Sequence, residues 1–97
     1  DSIKYKQVEF MLDKVGQTFD GVITGVTDWG AYVQEKNSQA EGLVRIANLG
    51  KDYFNHEPSQ YRIKGDKKGK TFSLGDEVKI KLTNADLENK QLDFVIV

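Results

Sequence analysis

The sequence predicts an all-β fold, a small closed barrel of about five antiparallel strands preceded by one short helix. After Gly16 the chain is rich in β-branched residues that alternate with polar ones, as in strands with one buried face. Glycine-containing and polar turns separate these segments. In a chain of 97 residues, closing the sheet removes the unpaired edges that an open sheet would expose.

The N-terminal residues predict a helix over about residues 3 to 14, with Gly16 ending the pattern. The apolar residues recur at helical spacing and form one stripe: Ile3, Val8, Met11, Leu12 and Val15. We expect this stripe to pack on the barrel or on a neighbouring domain. Because the chain begins with Asp1 rather than Met, we expect it to be cut from a longer protein.

Five segments predict the barrel strands: QTFDGVITGVT, WGAYVQE, EGLVRI, GDEVKIKLTNAD and QLDFVIV. In the first, the parity set by Phe19 and Ile23 is reversed at Val26, so we expect a β-bulge near Gly25. A long lysine-rich connection, residues 47 to 73, joins strands three and four, and YRIKG and KTFSL predict a hairpin within it. Its lysines are either solvated or in contact with phosphates, and we expect His56 to be solvated.

The composition excludes several function classes. With 14 basic and 15 acidic residues the net charge is −1, so no global basic excess indicates nucleic acid. The chain has no cysteine, which excludes disulfides and thiolate metal sites. No apolar run has the length of a membrane span. Since the acidic residues are scattered and no catalytic constellation is present, we expect neither a metal site nor an enzyme in this chain.

The stretch VTDWGAYVQ contains two aromatic residues, Trp29 and Tyr32. Residues three apart on an ideal strand face opposite sides, so both rings share a surface only if Trp29 lies in the preceding turn or the strand is twisted there. The Gly30-Ala31 pair permits such a kink and leaves room for a base. In one interpretation a ring lies in the core; in the other, both rings form a stacking platform worth about 1–3 kcal/mol per base.

Four ordered motifs resemble the S1 RNA-binding domain, a five-stranded Greek-key barrel of the oligonucleotide-binding (OB) type: FDGVITGVTDWGAYVQ, EGLVRIANL, LGDEVKIKLTNAD and KQLDFVI. The resemblance covers residues 16 to 97 and implies that these form the barrel, whereas residues 1–15 are a helical segment from the end of a preceding domain. The longer connection DYFNHEPSQYRIKGDKKGKTFSLGD is similar to that of the C-terminal S1 domain of bacterial ribonuclease R, in the RNase II/R exoribonuclease family. The family usually has His at the position of Arg45 and Arg at the position of Lys90.

The resemblance implies single-stranded RNA binding by the following residues: Trp29, Tyr32, Arg45, Asp86, Lys90, Phe19, Lys79 and Lys81. For some of them a structural role is the alternative. Phe19 has the parity of a core residue, and Asp86 precedes a turn that it would cap. Lys79 and Lys81 lie on the outer face of a strand, where lysines often serve solubility alone.

The resemblance also implies a parent protein that is a 3′-5′ exoribonuclease, located in the cytoplasm and monomeric. The catalytic domain of that parent would be a partner of this chain, together with single-stranded RNA, and no membrane is involved. This chain would hold no cofactor, because the magnesium ions belong to the catalytic domain. Two alternatives stay open: an S1 domain of a translation or transcription factor, and an OB barrel used for protein interaction.

Overall fold

The computed structural model describes residues 2–97, which begin with the helix α1, Ser2–Met11, and one 3₁₀ turn, Leu12–Lys14. Together these match the predicted helix closely. Val8 and Met11 are buried against the barrel. The other members of the predicted stripe remain substantially exposed: Ile3, Leu12 and Val15. The barrel therefore covers only part of the stripe.

Eight strands follow in residues 2–97: β1 Thr18–Val26, β2 Gly30–Glu35, β3 Glu41–Arg45, β4 Phe54–Glu57, β5 Arg62–Gly65, β6 Thr71–Ser73, β7 Glu77–Asp86 and β8 Gln91–Ile96. The predicted five-stranded barrel is confirmed, with the closed order β1-β2-β3-β8-β7. Four neighbouring pairs are antiparallel, as predicted, but β3 and β8 pair in parallel. A ring with an odd number of strands cannot alternate direction throughout, so one parallel pair is unavoidable.

The strands are bent by two β-bulges within the described chain. The register of β1 against β2 shifts between Ile23 and Gly25, where the sequence predicts a bulge. A second shift, between Leu82 and Asn84, lies where β7 pairs with β8 and was not predicted. Such bulges increase the local twist and so help a short sheet to close.

The long connection forms a sheet of its own, β4-β5-β6, called here the small sheet. Its second and third strands are the predicted hairpin, and β4 is an addition that the sequence analysis missed. Phe54, Ile63 and Phe72 on one face are buried and belong to the same core cluster as the barrel interior. The connection is therefore packed on the barrel.

Glu35 is a buried acidic residue whose carboxylate organises the β2–β3 turn. It accepts hydrogen bonds from the backbone N–H groups of Asn37 and Ser38, at 2.8 and 2.9 Å, and from the Ser38 hydroxyl at 2.7 Å. Burial raises the pKa of Glu35, but these hydrogen bonds outweigh it, and the net effect is a pKa below the ordinary value.

We predict that Glu35→Gln lowers the free energy of unfolding at pH 7 by about 1–3 kcal/mol, because an amide places an NH₂ group against backbone donors. Since the folded-state pKa of Glu35 is lowered, its carboxylate makes its full contribution to the free energy of unfolding at pH values above its unfolded-state pKa of about 4.3. This contribution is lost as the pH falls through the folded-state pKa. In urea unfolding of the wild type and Glu35→Gln, the difference between their free energies of unfolding should become smaller from pH 7 to pH 3. Glu9→Gln, at an exposed helical position, is the control, and a difference that does not change with pH would contradict this role.

Candidate nucleic-acid interface

Trp29 lies in the turn between β1 and β2, outside the regular alternation of the strand. Thr27 Oγ1 accepts hydrogen bonds from the N–H groups of Trp29 and Gly30, at 3.3 and 3.1 Å. The Trp29 carbonyl accepts a hydrogen bond of 3.1 Å from the N–H of Ile46, just after β3. These bonds attach the turn to the end of the neighbouring strand and fix the position of the indole.

The two rings share the outer surface. Trp29 is 58% exposed, and its indole Nε1 lies 3.3 Å from the hydroxyl of the half-buried Tyr32. This pair, called here the aromatic platform, rules out the interpretation that one of the rings lies in the core. Gly30 supplies the predicted kink, with φ of +154°, but Ala31 is buried in the core. The side chain of Ala31 points inwards with Val44, and the room that the Gly30-Ala31 pair leaves for a base stays a prediction.

We predict that Gly30→Ala destabilises the domain by about 2 kcal/mol or more. An added Cβ would collide with the backbone carbonyl of Val44, and the φ of Gly30 is one that L-residues rarely adopt. Gly25→Ala is the matched control, since its Cβ would lie 3.6 Å from the ring of Tyr32, an ordinary contact. Urea unfolding measures both variants, and equal effects would contradict the requirement for glycine at position 30.

The strand register continues the platform into a row of paired residues around the barrel, of which one, Leu43, is buried and the other four are half-buried or exposed. Tyr32 of β2 pairs with Gly25 of β1 on one side and with Leu43 of β3 on the other. Leu43 pairs with Asp93 of β8, and Asp93 pairs with Asn84 of β7. We call these five residues the outer row. It offers an aromatic ring at one end and polar side chains at the other.

Arg45 lies beside the platform, opposite Gly30 across the β2–β3 pair. Its side chain is exposed, and its Nε is 3.9 Å from Oδ1 of Asp93. Asp93 Oδ2 accepts a hydrogen bond from Asn84 Nδ2 at 3.3 Å, whereas Oδ1 is buried and accepts no hydrogen bond from the described residues. Asp93, positioned by Asn84, is therefore a charged partner that orients Arg45. The donors of the Arg45 guanidinium remain available to solvent.

Asp86 and Lys90 lie at the β7–β8 turn, and the pair Asp86–Gln91 is two residue pairs beyond the outer row. Asp86 accepts hydrogen bonds from Asn89 Nδ2 at 2.8 Å and from the Asn89 backbone N–H at 3.1 Å. These two bonds, in that order, hold the pKa of Asp86 below its ordinary value. The predicted capping role is confirmed. Lys90 has a left-handed backbone, with φ of +55°, and closes the turn through its N–H to Leu87.

The remaining predicted RNA-binding residues, Lys79, Lys81 and Phe19, lie in different environments. Lys79 and Lys81 face outwards as predicted, but Lys79 forms an ion pair of 3.1 Å with Asp20. Phe19 is half-buried, pairs with Ile80 and packs against the core, as its parity predicts. It is not brought to the outer row with Tyr32. Of the two lysines, Lys81 is the one left without an ion pair in the described chain.

The prediction that His56 is solvated is wrong. Its side chain is 15% exposed, and its Nδ1 lies 2.8 Å from Oδ1 of Asp28, the residue before Trp29. The reason is the period of two along β4, which puts His56 on the same face as Phe54, the face packed on the barrel. The small sheet is thus fastened to the turn that carries the aromatic platform.

Sequence reasoning missed Leu43, Asp93 and Asp28 as parts of this surface. Asp93 carried a signal, because it is a polar residue between two inward-facing residues of β8. Leu43 carried none, because it is apolar and buried like both of its neighbours in β3. The role of Asp28 depends on a partner 28 positions away along the chain, which no local pattern indicates.

The described residues offer no metal centre. In residues 2–97, no group of three or more His, Asp and Glu side chains is arranged to hold an ion. Over the same part of the chain, no helix combines the length and the apolar character needed to cross a membrane.

The model of the S1 RNA-binding domain family matches residues 12–96. The chain belongs to the S1 RNA-binding domain family. Ribonuclease R 1 of Lactococcus lactis is 38% identical over 91 residues, and ribonuclease R of Escherichia coli is 32% identical over 97 residues. The chain spans only 11% and 12% of the lengths of these two relatives.

Solved structures also relate this chain to ribonuclease R. The apo form of Mycoplasma genitalium RNase R superposes with a TM-score of 0.90 at 26% identity, covering 97% of this chain and 15% of that protein. A second structure of the same protein, in complex with ribose-methylated single-stranded RNA, superposes equally well, with a TM-score of 0.90. The resemblance to the S1 domain of ribonuclease R is confirmed.

Proposed function

We propose that this chain binds single-stranded RNA by stacking bases on the aromatic platform, with Arg45 and Lys81 contacting phosphates. The observation that carries the proposal is the exposed Trp29–Tyr32 pair, held on a rigid barrel beside an exposed arginine. An aromatic ring accepts the face of any base, so such a site suits unpaired strands of varied sequence. Membership of the S1 family and the RNA complex of the Mycoplasma protein support this assignment.

We assign the chain to the C-terminal, substrate-gripping position of a 3′-5′ exoribonuclease of the ribonuclease R type. Among the alternatives left open by the sequence, the ribonuclease R relatives favour this one. Cleavage and magnesium binding would belong to the catalytic domain of the parent protein. Residues 1–15 would be the end of the preceding domain, and the exposed Ile3 and Phe10 of α1 suit a contact with it. We propose that the parent acts in the cytoplasm as a monomer.

We predict that Trp29→Ala and Tyr32→Ala each weaken binding of a short single-stranded RNA by about 1–3 kcal/mol and leave the fold intact, because the rings lie outside the core. Fluorescence anisotropy of a labelled tetranucleotide measures the affinity, and circular dichroism checks the fold. Phe10→Ala is the matched control, since Phe10 is 54% exposed on α1, away from the platform.

Wild-type affinity in both platform variants would contradict the stacking site. Equal weakening by Phe10→Ala would show that loss of any exposed ring has the same effect. The fluorescence of Trp29, the single tryptophan of the chain, gives a direct second measurement, because stacking with a base should quench it.

We predict that single strands bind better than duplexes and that binding depends weakly on salt. Bases in a duplex are not free to stack on Trp29 and Tyr32. If two or three cations contact phosphates of the tetranucleotide, log affinity should fall against log salt with a slope of about −1.5 to −2, at about 0.7 per contact. A salt series with the single strand and its duplex measures both effects. Equal binding of the two, with the steep slope of a highly basic protein, would indicate a non-specific electrostatic surface instead.

A further inference from the structure

The charge of the chain is divided unequally between its two sheets. Residues 51–70, from the end of the β3–β4 connection to the β5–β6 turn, contain six basic and three acidic residues and so carry +3. Since the whole chain carries −1, the rest of the chain carries −4. The near-neutral total therefore conceals a basic segment on an acidic barrel.

The lysines of the two parts differ in their partners. Outside this segment, three of the seven lysines form ion pairs within residues 2–97: Lys79 with Asp20, Lys36 with Glu77, and Lys14 with Asp13. In the segment, four exposed lysines lie around one end of the small sheet, called here the lysine tip: Lys51, Lys64, Lys67 and Lys68. No ion pair with a carboxylate of residues 2–97 involves a member of the tip. These ammonium groups therefore remain available to an outside anion.

The carboxylate of the half-buried residue Asp52 fixes the backbone of the tip. Asp52 accepts hydrogen bonds from the N–H groups of Lys67 at 3.0 Å and Lys68 at 3.0 Å, and from Tyr53 at 2.7 Å. The bonds from Lys68 and Lys67 are the main causes that hold the pKa of Asp52 below its ordinary value. Gly65 has no room for a side chain, because a Cβ there would lie 2.6 Å from Oδ2 of Asp52. The loop is thus held in shape by backbone bonds, and its lysine side chains point to solvent.

An aromatic ring stands among these lysines. Tyr53 is 78% exposed, and its carbonyl accepts a hydrogen bond of 2.8 Å from the N–H of Asp66, at the root of the loop. An exposed ring on the segment that carries these lysines suits a nucleic acid better than an acidic peptide, because it offers stacking as well as charge. The bond between His56 and Asp28 fastens the same sheet to the turn of the platform.

We propose that the lysine tip and Tyr53 form a second contact for single-stranded RNA, used by strands that extend beyond the aromatic platform. The platform would bind the bases of a short segment, and the tip would bind the phosphates of the continuing strand. This inference rests on the proposed function, since the RNA is first held at the platform. Lysine suits this role because it acts as a point charge on a flexible stem and follows a backbone of variable path.

The test compares two lengths of oligouridylate, a tetranucleotide and a dodecanucleotide, within the range of about 4–16 nucleotides bound by folds of this type. The variant K67Q/K68Q removes two charges from the tip. The control K6Q/K36Q removes two charges from α1 and the β2–β3 turn, so both variants have the same net charge. Trp29→Ala is measured in parallel to test the platform itself.

We expect K67Q/K68Q to weaken binding of the dodecanucleotide on the order of tenfold at about 50 mM salt and to reduce the salt slope by about 1.4, for two lost contacts. The affinity of the tetranucleotide should change less than about twofold, and Tyr53→Ala should likewise affect only the longer strand. The control variant should bind both strands almost as tightly as the wild type.

Two results would overturn the proposal while leaving the platform intact. If K67Q/K68Q binds the dodecanucleotide like the wild type while Trp29→Ala does not, the tip makes no contact with RNA and serves another anion, such as an acidic protein surface. If K67Q/K68Q and the control weaken both strands equally, the effect is one of net charge. Unchanged binding by Trp29→Ala would instead refute the proposed function.

Discussion

The close contact between the Gly30 backbone and the end of β3 is the interaction on which the candidate site depends. It lets the β1–β2 turn lie directly against Val44 and Arg45, and it takes Trp29 out of the strand alternation. Without it, residues 29 and 32 would face opposite sides of the sheet. With it, the indole meets the hydroxyl of Tyr32, and the outer row begins at an aromatic platform.

Most of the fold could be predicted because the signals are local. Period-two alternation located the barrel strands, and the reversed parity at Val26 located the bulge that the register confirms. The sequence did not decide whether the Trp29 ring lies in the core or on the surface, since either position is compatible with the same sequence pattern. The parallel pairing of β3 with β8, the partner of His56 and the carboxylate beside Arg45 depend on contacts between distant segments, which no window of sequence contains.

The small sheet explains how a nearly neutral chain can still suit a polyanion. The barrel is acidic overall, and Lys36 and Lys79, two of its four lysines outside the small sheet, form ion pairs, so in the proposed function stacking would supply most of the affinity for a short strand. The lysines of the tip, which form no ion pair with residues 2–97, lie around one end of the small sheet, and that sheet is joined to the platform turn through His56 and Asp28. In the proposals above, this division separates recognition of bases from attraction of the backbone.

The most direct test of the aromatic platform is a chemical-shift titration of the ¹⁵N-labelled chain with a single-stranded RNA tetranucleotide. We expect the indole N–H of Trp29 and the amides of the outer row, above all Gly25, Tyr32 and Leu43, to shift most, with α1 unaffected. Shifts confined to α1 or to the β2–β3 turn, or saturating binding that leaves the Trp29 indole unmoved, would contradict the aromatic platform as the RNA site.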